Sequence, residues 1–445
     1  MKKAIELSDH FTYGRLIRFT IPSIITMIFV SIYSVVDGFF VSNFVGTTPF
    51  AALNLIMPFV MIFAAVGFML GSGGSALAAV KLGMGEKEHA NEIFSLIVYT
   101  ALTLGIIFCI LGELATPTVA KLLGASDEML PYCVIYARVC LLGIPAFMLQ
   151  NTFQTFLITA EKPKFGLATT IMAGVSNMVL DALFMGVFGW GLWSAALATI
   201  IGQYIGGMVP LFYFLRPNSS KLRLGKTHIM GEVLLKSVTN GSSEFLSNIS
   251  MSVVNMLYNF QLMRLVGENG VSAFGVIMYT NFVFLASFLG YSMGASPIAG
   301  YNLGAGNFEE LKNIFHKSLK IISIAGIVMT ALAVSLAHPL AYIFASSDGE
   351  LLKMSTTAIR IYSLSFLFMG YNIFGSSFFT AMNNGFISAL ISFLRTLVFQ
   401  VIALLFLPMI IGINGVWSAV VFAEICALFV TISCFIRNKN RYHYA

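Results

Sequence analysis

Three pairs of polar side chains stand four residues apart in stretches that are otherwise apolar: Tyr33 with Asp37, Asn177 with Asp181, and Thr199 with Gln203. On a helix, residues four apart share a face. Two carboxylates, a carboxamide and hydroxyls form a hard oxygen set. Such a set suits a sodium ion, or a proton if the two acids come close enough to share one. The same groups also serve as hydrogen-bonding glue between helices, and the sequence does not itself bring Asp37 to Asp181.

The setting gives these residues weight. The chain has 445 residues, 58% hydrophobic and 10% charged, with a mean hydropathy of +0.87. Runs of about 20 apolar residues recur along it, which marks an all-α polytopic membrane protein. An acid at membrane depth costs about 2.5–3.5 kcal/mol on insertion scales, so it is expected to face a protein interior or a watery cavity. Twelve spans are predicted, near 16–42, 50–80, 92–115, 131–157, 165–188, 192–214, 234–263, 271–298, 318–344, 356–382, 386–409 and 414–436. With both ends on one side, 19 of the 25 Lys and Arg, from Lys2 and Lys3 to Lys439 and Arg441, fall on that side. Only Lys121, Arg264 and Lys353 fall on the other. The bias predicts cytoplasmic termini in an inner (plasma) membrane. The first apolar run, which is long and holds Asp37, is expected to be a span rather than a cleaved leader.

The chain repeats itself. VGTTPFAALNLIM from Val45 resembles VGENGVSAFGVIM from Val266, and KLGMGEKEHANEIF from Lys81 resembles NLGAGNFEELKNIF from Asn302, both at an offset of 221. Ser126-Asp127 matches Ser347-Asp348 at the same offset; GLWSA at Gly191 matches GVWSA at Gly415 after a drift to 224. Two six-span lobes are therefore expected, residues 1–215 and 234–445, joined by a polar cytoplasmic linker over 216–233. A pseudo-two-fold along the membrane normal would relate them, in a V shape around a central cavity. The acids break the repeat: Asp37 maps to Tyr258, Asp181 to acid-free 402–405, and Thr199 to Ala423. The first lobe is thus expected to hold the ion.

Other residues are weaker candidates. Glu244, in TNGSSEFLSNIS, is either a counter-charge for a cationic substrate or a partner of Arg264 or Arg395; Glu424 reads as a structural partner. Met57 and Met278, at matching repeat positions, are candidate cavity residues for lipophilic cations. Pro22, Pro58, Pro145 and Pro297 invite kinks within spans. The five cysteines read as packing residues. The six histidines lie at termini, loops or span edges without ligand spacing, which argues against a membrane-embedded metalloenzyme.

Taken together, these features resemble the multidrug and toxic compound extrusion (MATE) family, over essentially the whole chain. The twin loops KLGMGEKEHA and NLGAGNFEEL, the span-one Asp and the N-x-x-x-D of span five carry the likeness, and NGSSEFLSNISMSVVN is similar to the MepA-like branch. The resemblance implies a cation site at Asp37, Asn177, Asp181 and Thr199 with Tyr33 beside it, and a bend-forming Pro22. It implies a Na+- or H+-coupled antiporter exporting lipophilic, often cationic compounds by alternating access, with no cofactor beyond the coupling ion. A monomer is expected, with the bilayer and small-molecule substrates but no nucleic acid as partners. A flippase of lipid-linked precursors or polysaccharide on a related fold is the alternative.

Overall fold

Backbone amides have no water to pair with inside a bilayer, so an apolar span must close its hydrogen bonds within itself. The computed structural model describes residues 5–345 and 348–445, and helices fill it, with no strand among the described residues. Lys2, Lys3 and Ser347 lie outside that range. The first half comprises α1 (Tyr13–Phe44), α2 (Thr47–Gly83), α3 (Lys87–Leu122), α4 (Leu130–Leu142), α5 (Ile144–Thr159), α6 (Pro163–Asp181), a π-helical turn at Ala182–Val187, and α7 (Leu192–Leu215). The second comprises α8 (Gly231–Val266), α9 (Glu268–Gly304), α10 (Phe308–Ser335), α11 (Ala337–Ala345), α12 (Gly349–Ser363) and α13 (Phe366–Ala381). It ends with α14 (Gly385–Phe393), a second π turn at Leu394–Val398, α15 (Phe399–Ile411) and α16 (Ile413–Tyr442).

Among the described residues, nine helices are long and apolar enough to cross a membrane, and the pair α4–α5, bent by 52°, makes a tenth. The remaining two of the twelve expected spans are more polar. The 36-residue α8 carries Asn240, Ser242, Ser243 and Glu244, and α12–α13 carries Lys353 and Arg360.

Several expected spans are interrupted. Span four breaks at Gly143, just before Pro145, whose missing amide cannot continue the ladder. The bend seats Pro145 on α3, where a Cβ on Gly105 would come within 2.6 Å of Pro145 Cα. Span ten breaks at Leu364-Ser365, the equivalent position in the repeat, without a proline; there Ser363 Oγ donates back to the Ile359 carbonyl at 2.6 Å, a contact that bends helices. Span nine divides into α10 and α11. The kinks expected at Pro22, Pro58 and Pro297 do not interrupt α1, α2 or α9.

Buried apolar side chains form one cluster from Val41 to Leu222 and a second from Val254 to Tyr444. Between the lobes the fit is set by backbone. A Cβ on Gly83 would lie 2.0 Å from Tyr301 O, and one on Gly304 2.0 Å from Val80 O. Each contact is the image of the other under the 221-residue repeat, so the pseudo-two-fold passes between α2 and α9. Around it, Gly241 of α8 meets Met69 of α2, and Gly290 of α9 meets Ile24 of α1. Only glycine permits such close approach. Further along, Ser31 Oγ donates across the lobes to Phe282 O at 3.3 Å.

Gly83→Ala and Gly304→Ala should each destabilise the protein by about 1–3 kcal/mol through overpacking. Gly275→Ala, with open space around its Cβ, should be neutral or gain up to about 1 kcal/mol from helix propensity. Thermal unfolding in detergent distinguishes them.

Candidate cation site

Asp181 is the last residue of α6, and its side chain is fully buried. The π turn that follows widens the helix there, a feature common at functional sites. One turn earlier, buried Asn177 donates from Nδ2 to Thr199 Oγ1 on α7 at 3.4 Å. From the other side α1 delivers Asp37 into contact with Asp181, so that the two carboxyls interact directly. The helices can approach because position 174 is glycine: a Cβ there would lie 2.6 Å from Phe29 Cε1 and 2.9 Å from Tyr33 Cδ1. Tyr33 therefore sits on α6 one turn before Asp37. Gly202 does the same for α7, where a Cβ would be 2.9 Å from Ala173 O.

The electrostatics of the cluster are one-sided. Among the described residues, Asp37 Oδ1, both oxygens of Asp181 and Asn177 Oδ1 are buried with no hydrogen-bond donor. Gln203 Oε1, against Gly143 at the α4–α5 break, is likewise buried and unpaired. Buried acceptors are normally satisfied, and each exception needs a reason. Two adjacent carboxyls without a counter-charge need a shared proton or a cation between them. Among the described residues no three His, Cys, Asp or Glu gather into a metal cluster. The donor set is two carboxyls and neutral oxygens, a hard oxygen set.

Two neighbours were not singled out in the sequence. Tyr136 of α4 is buried, feels the charge of both Asp37 and Asp181, and donates to Met57 Sδ at 3.8 Å. Cys140, one turn on, lies beside Tyr136 and near Asp37. The only available signal was their spacing of four in span four.

The equivalent region of the second lobe is built differently. Tyr258, at the position of Asp37, stacks on Phe274 with ring centroids 4.5 Å apart. Nearby, Arg395 Nη1 donates to Glu424 Oε1 at 3.1 Å, and Asn372 Nδ2 donates to Glu424 Oε2 at 2.7 Å. Glu424 is the structural partner its sequence context suggested. The pair borders a cavity of about 60 Å³ lined also by Met278, Asn281 and Gln400. Met278 lines this cavity, whereas Met57 packs within the first lobe, where it accepts from Tyr136 of α4. Glu244 is half-buried and forms no ion pair among the described residues; Arg395 influences it at a distance while bonding Glu424. Of the two readings open for Glu244, the pairing with Arg264 or Arg395 is not made among the described residues.

Comparison with known proteins fits this geometry. The MatE family model matches residues 22–183 and 245–405, one segment in each half of the chain. The chain belongs to the MatE family. Among its MatE relatives, the Multidrug export protein MepA of Staphylococcus saprophyticus is 24% identical over 420 residues, covering 93% of this chain and 91% of that one. An FAD transporter of Shewanella oneidensis is 23% identical, covering 94% and 93%. In fold, the chain matches a solved structure described as the outward-facing conformation of a multidrug resistance MATE family transporter of the MOP superfamily. The TM-score is 0.93 at 23% identity, and all of both chains are covered.

The contrast between the lobes is testable by stability. Arg395→Met strands a buried carboxylate and should cost about 3–5 kcal/mol. Asp181→Asn removes an unanswered acid and should leave unfolding unchanged or raise its midpoint. Thermal unfolding in detergent without added sodium measures both.

Proposed function

We propose that this MatE protein is a cation-coupled efflux antiporter for lipophilic, often cationic compounds. The observation that supports it most is the group of buried, unanswered oxygens at Asp37, Asn177 and Asp181. In this reading sodium or a proton binds between the two carboxyls, with Thr199 and Tyr33 beside it. Residues 1–215 and 234–445 act as rocking lobes on either side of the linker over 216–233, and Pro22 is a hinge in α1. Both termini lie in the cytoplasm, and the protein is a monomer of the inner membrane.

The chain's own residues suggest how coupling works. The empty acid pair repels itself, and an ion that answers it changes which arrangement of α1, α4, α6 and α7 is lowest in energy. An ion shifts the lobes only by its difference in affinity for the two states. An ion entering down a potential of 100 mV contributes about 2.3 kcal/mol per charge. Glu244, half-buried and outside any ion pair, is the candidate counter-charge for a cationic substrate. A second reading is an anionic, cofactor-sized cargo, which the kinship to an FAD transporter favours. Arg395, already committed to Glu424, speaks against it.

Dye efflux from proteoliposomes, with sodium and pH gradients imposed separately, tests the proposal, with FAD as a parallel cargo. Efflux should follow one gradient, and Asp181→Asn should abolish it in a folded protein. Undiminished transport by well-expressed Asp181→Asn would refute the coupling role.

A further inference from the structure

At the end of the molecule that carries the linker, two non-helical segments cross between the lobes. The first, residues 5–12, runs into α1 of the first lobe but is held at residues 10 and 11 by α10 of the second. The buried carboxylate of Glu310 accepts from the Phe11 amide at 2.9 Å and lies 2.6 Å from His10 Nδ1. Lys317 Nζ and Asn313 Nδ2 donate to the Phe11 carbonyl at 2.7 and 3.0 Å. Phe11 and Leu7 are fully buried in a small separate apolar cluster that joins Ile158 of the first lobe to Ile298 and Ile314 of the second.

The second segment, residues 218–230, runs into α8 of the second lobe but lies on α3 of the first. Arg223 N donates to Asn91 Oδ1 at 2.9 Å, Gly225 N to Ser95 Oγ at 3.0 Å, and Thr227 Oγ1 to Glu92 O at 3.0 Å. Under the repeat, α3 and α10 are equivalent helices, so each lobe's leading segment is strapped to the other lobe's third span. The straps also meet. Lys221 Nζ donates to Glu6 Oε2 at 3.0 Å and lies 3.8 Å from Glu161 Oε2, while the Leu7 amide donates to Glu161 Oε1 at 2.8 Å. Glu161 holds a φ of 61°, a left-handed conformation that glycine adopts more readily. The carboxylate is retained at a position where the backbone favours its absence.

We propose that these crossed straps, joined at Glu6, Lys221 and Glu161, form a latch that holds this end closed. The lobes cannot part here until both straps leave their hosts. This rests on the rocking-lobe reading, but it is read without transport. Parting pulls each strap away from the lobe that satisfies its amides, and Glu310, buried at the start of α10, would lose the Phe11 amide and His10.

The test places spin labels at two exposed positions of this end, E88C on α3 and K439C on α16, in full-length protein that keeps buried Cys140 and lacks the other four cysteines. Distances are measured in nanodiscs without substrate. The parent should show one short distance. Glu310→Gln, which weakens strap one at α10, and Glu161→Gly, which relaxes the backbone while deleting the junction, should each raise the long-distance population roughly tenfold, as expected for loss of a charge-assisted hydrogen bond. Distributions superimposable on the parent in both variants would overturn the latch. Dye efflux by the labelled parent separates the two ideas: shifted distances in the variants with no efflux by the parent sink the efflux reading alone, and efflux by the parent with unmoved distances in both variants sinks the latch alone.

Discussion

A charge at membrane depth must be answered, and the two lobes answer it in different ways. In the second lobe the answer is covalently part of the chain: Arg395 and Asn372 occupy both oxygens of Glu424. In the first lobe Asp37 and Asp181 face each other with no donor on the buried oxygens. The cost of an unpaired buried charge is too great to leave standing. In the proposed reading the first lobe depends on an ion that arrives and leaves, whereas the second answers Glu424 from within the chain.

That dependence requires the acids to be held in place, since carboxyls free to swing apart would solvate separately. The holding is done by backbone approach rather than by hydrogen bonds. Gly174 admits the rings of Phe29 and Tyr33, which fixes α1 on α6, and Gly202 admits the Ala173 carbonyl, which fixes α7. Asp181 sits where α6 gives way to the π turn. The Asn177–Thr199 contact then ties α6 to α7 beside the acids. The site is a consequence of helix packing, and its oxygens remain available because packing, not pairing, positions them.

Much of this was legible in the sequence. The spacing of Asn177 and Asp181, the loss of both acids in the second repeat, and the apolar runs all pointed to the helices and faces that the structure brings together. What could not be read is instructive. Tyr136 belongs to the site through a helix bent at Gly143, and no local pattern carries that rotation. Met57 and Met278 occupy equivalent positions but unlike surroundings, because symmetry of backbone does not fix which neighbour a side chain meets. The break in span ten lacks a proline, so no local breaker announces it. The Arg395–Glu424 pair joins spans eleven and twelve, so for Glu244 the sequence offered two arginines and the fold supplied neither.

The interface between the lobes explains how such a protein can be both stable and divisible. Within the membrane it is made of glycines against carbonyls and α-carbons, contacts that are close but carry no charge. The polar contacts seen to cross lie at the linker end, with Ser31 to Phe282 the exception. Dispersion contacts between smooth helix faces can be broken and re-formed without stranding a polar group in lipid, whereas an ion pair across the same faces would have to be desolvated again in each cycle. Placing the charged contacts at the aqueous end lets water replace them when they open. The division of labour follows from the solvent: packing joins the lobes where there is no water, and hydrogen bonds join them where water can take over.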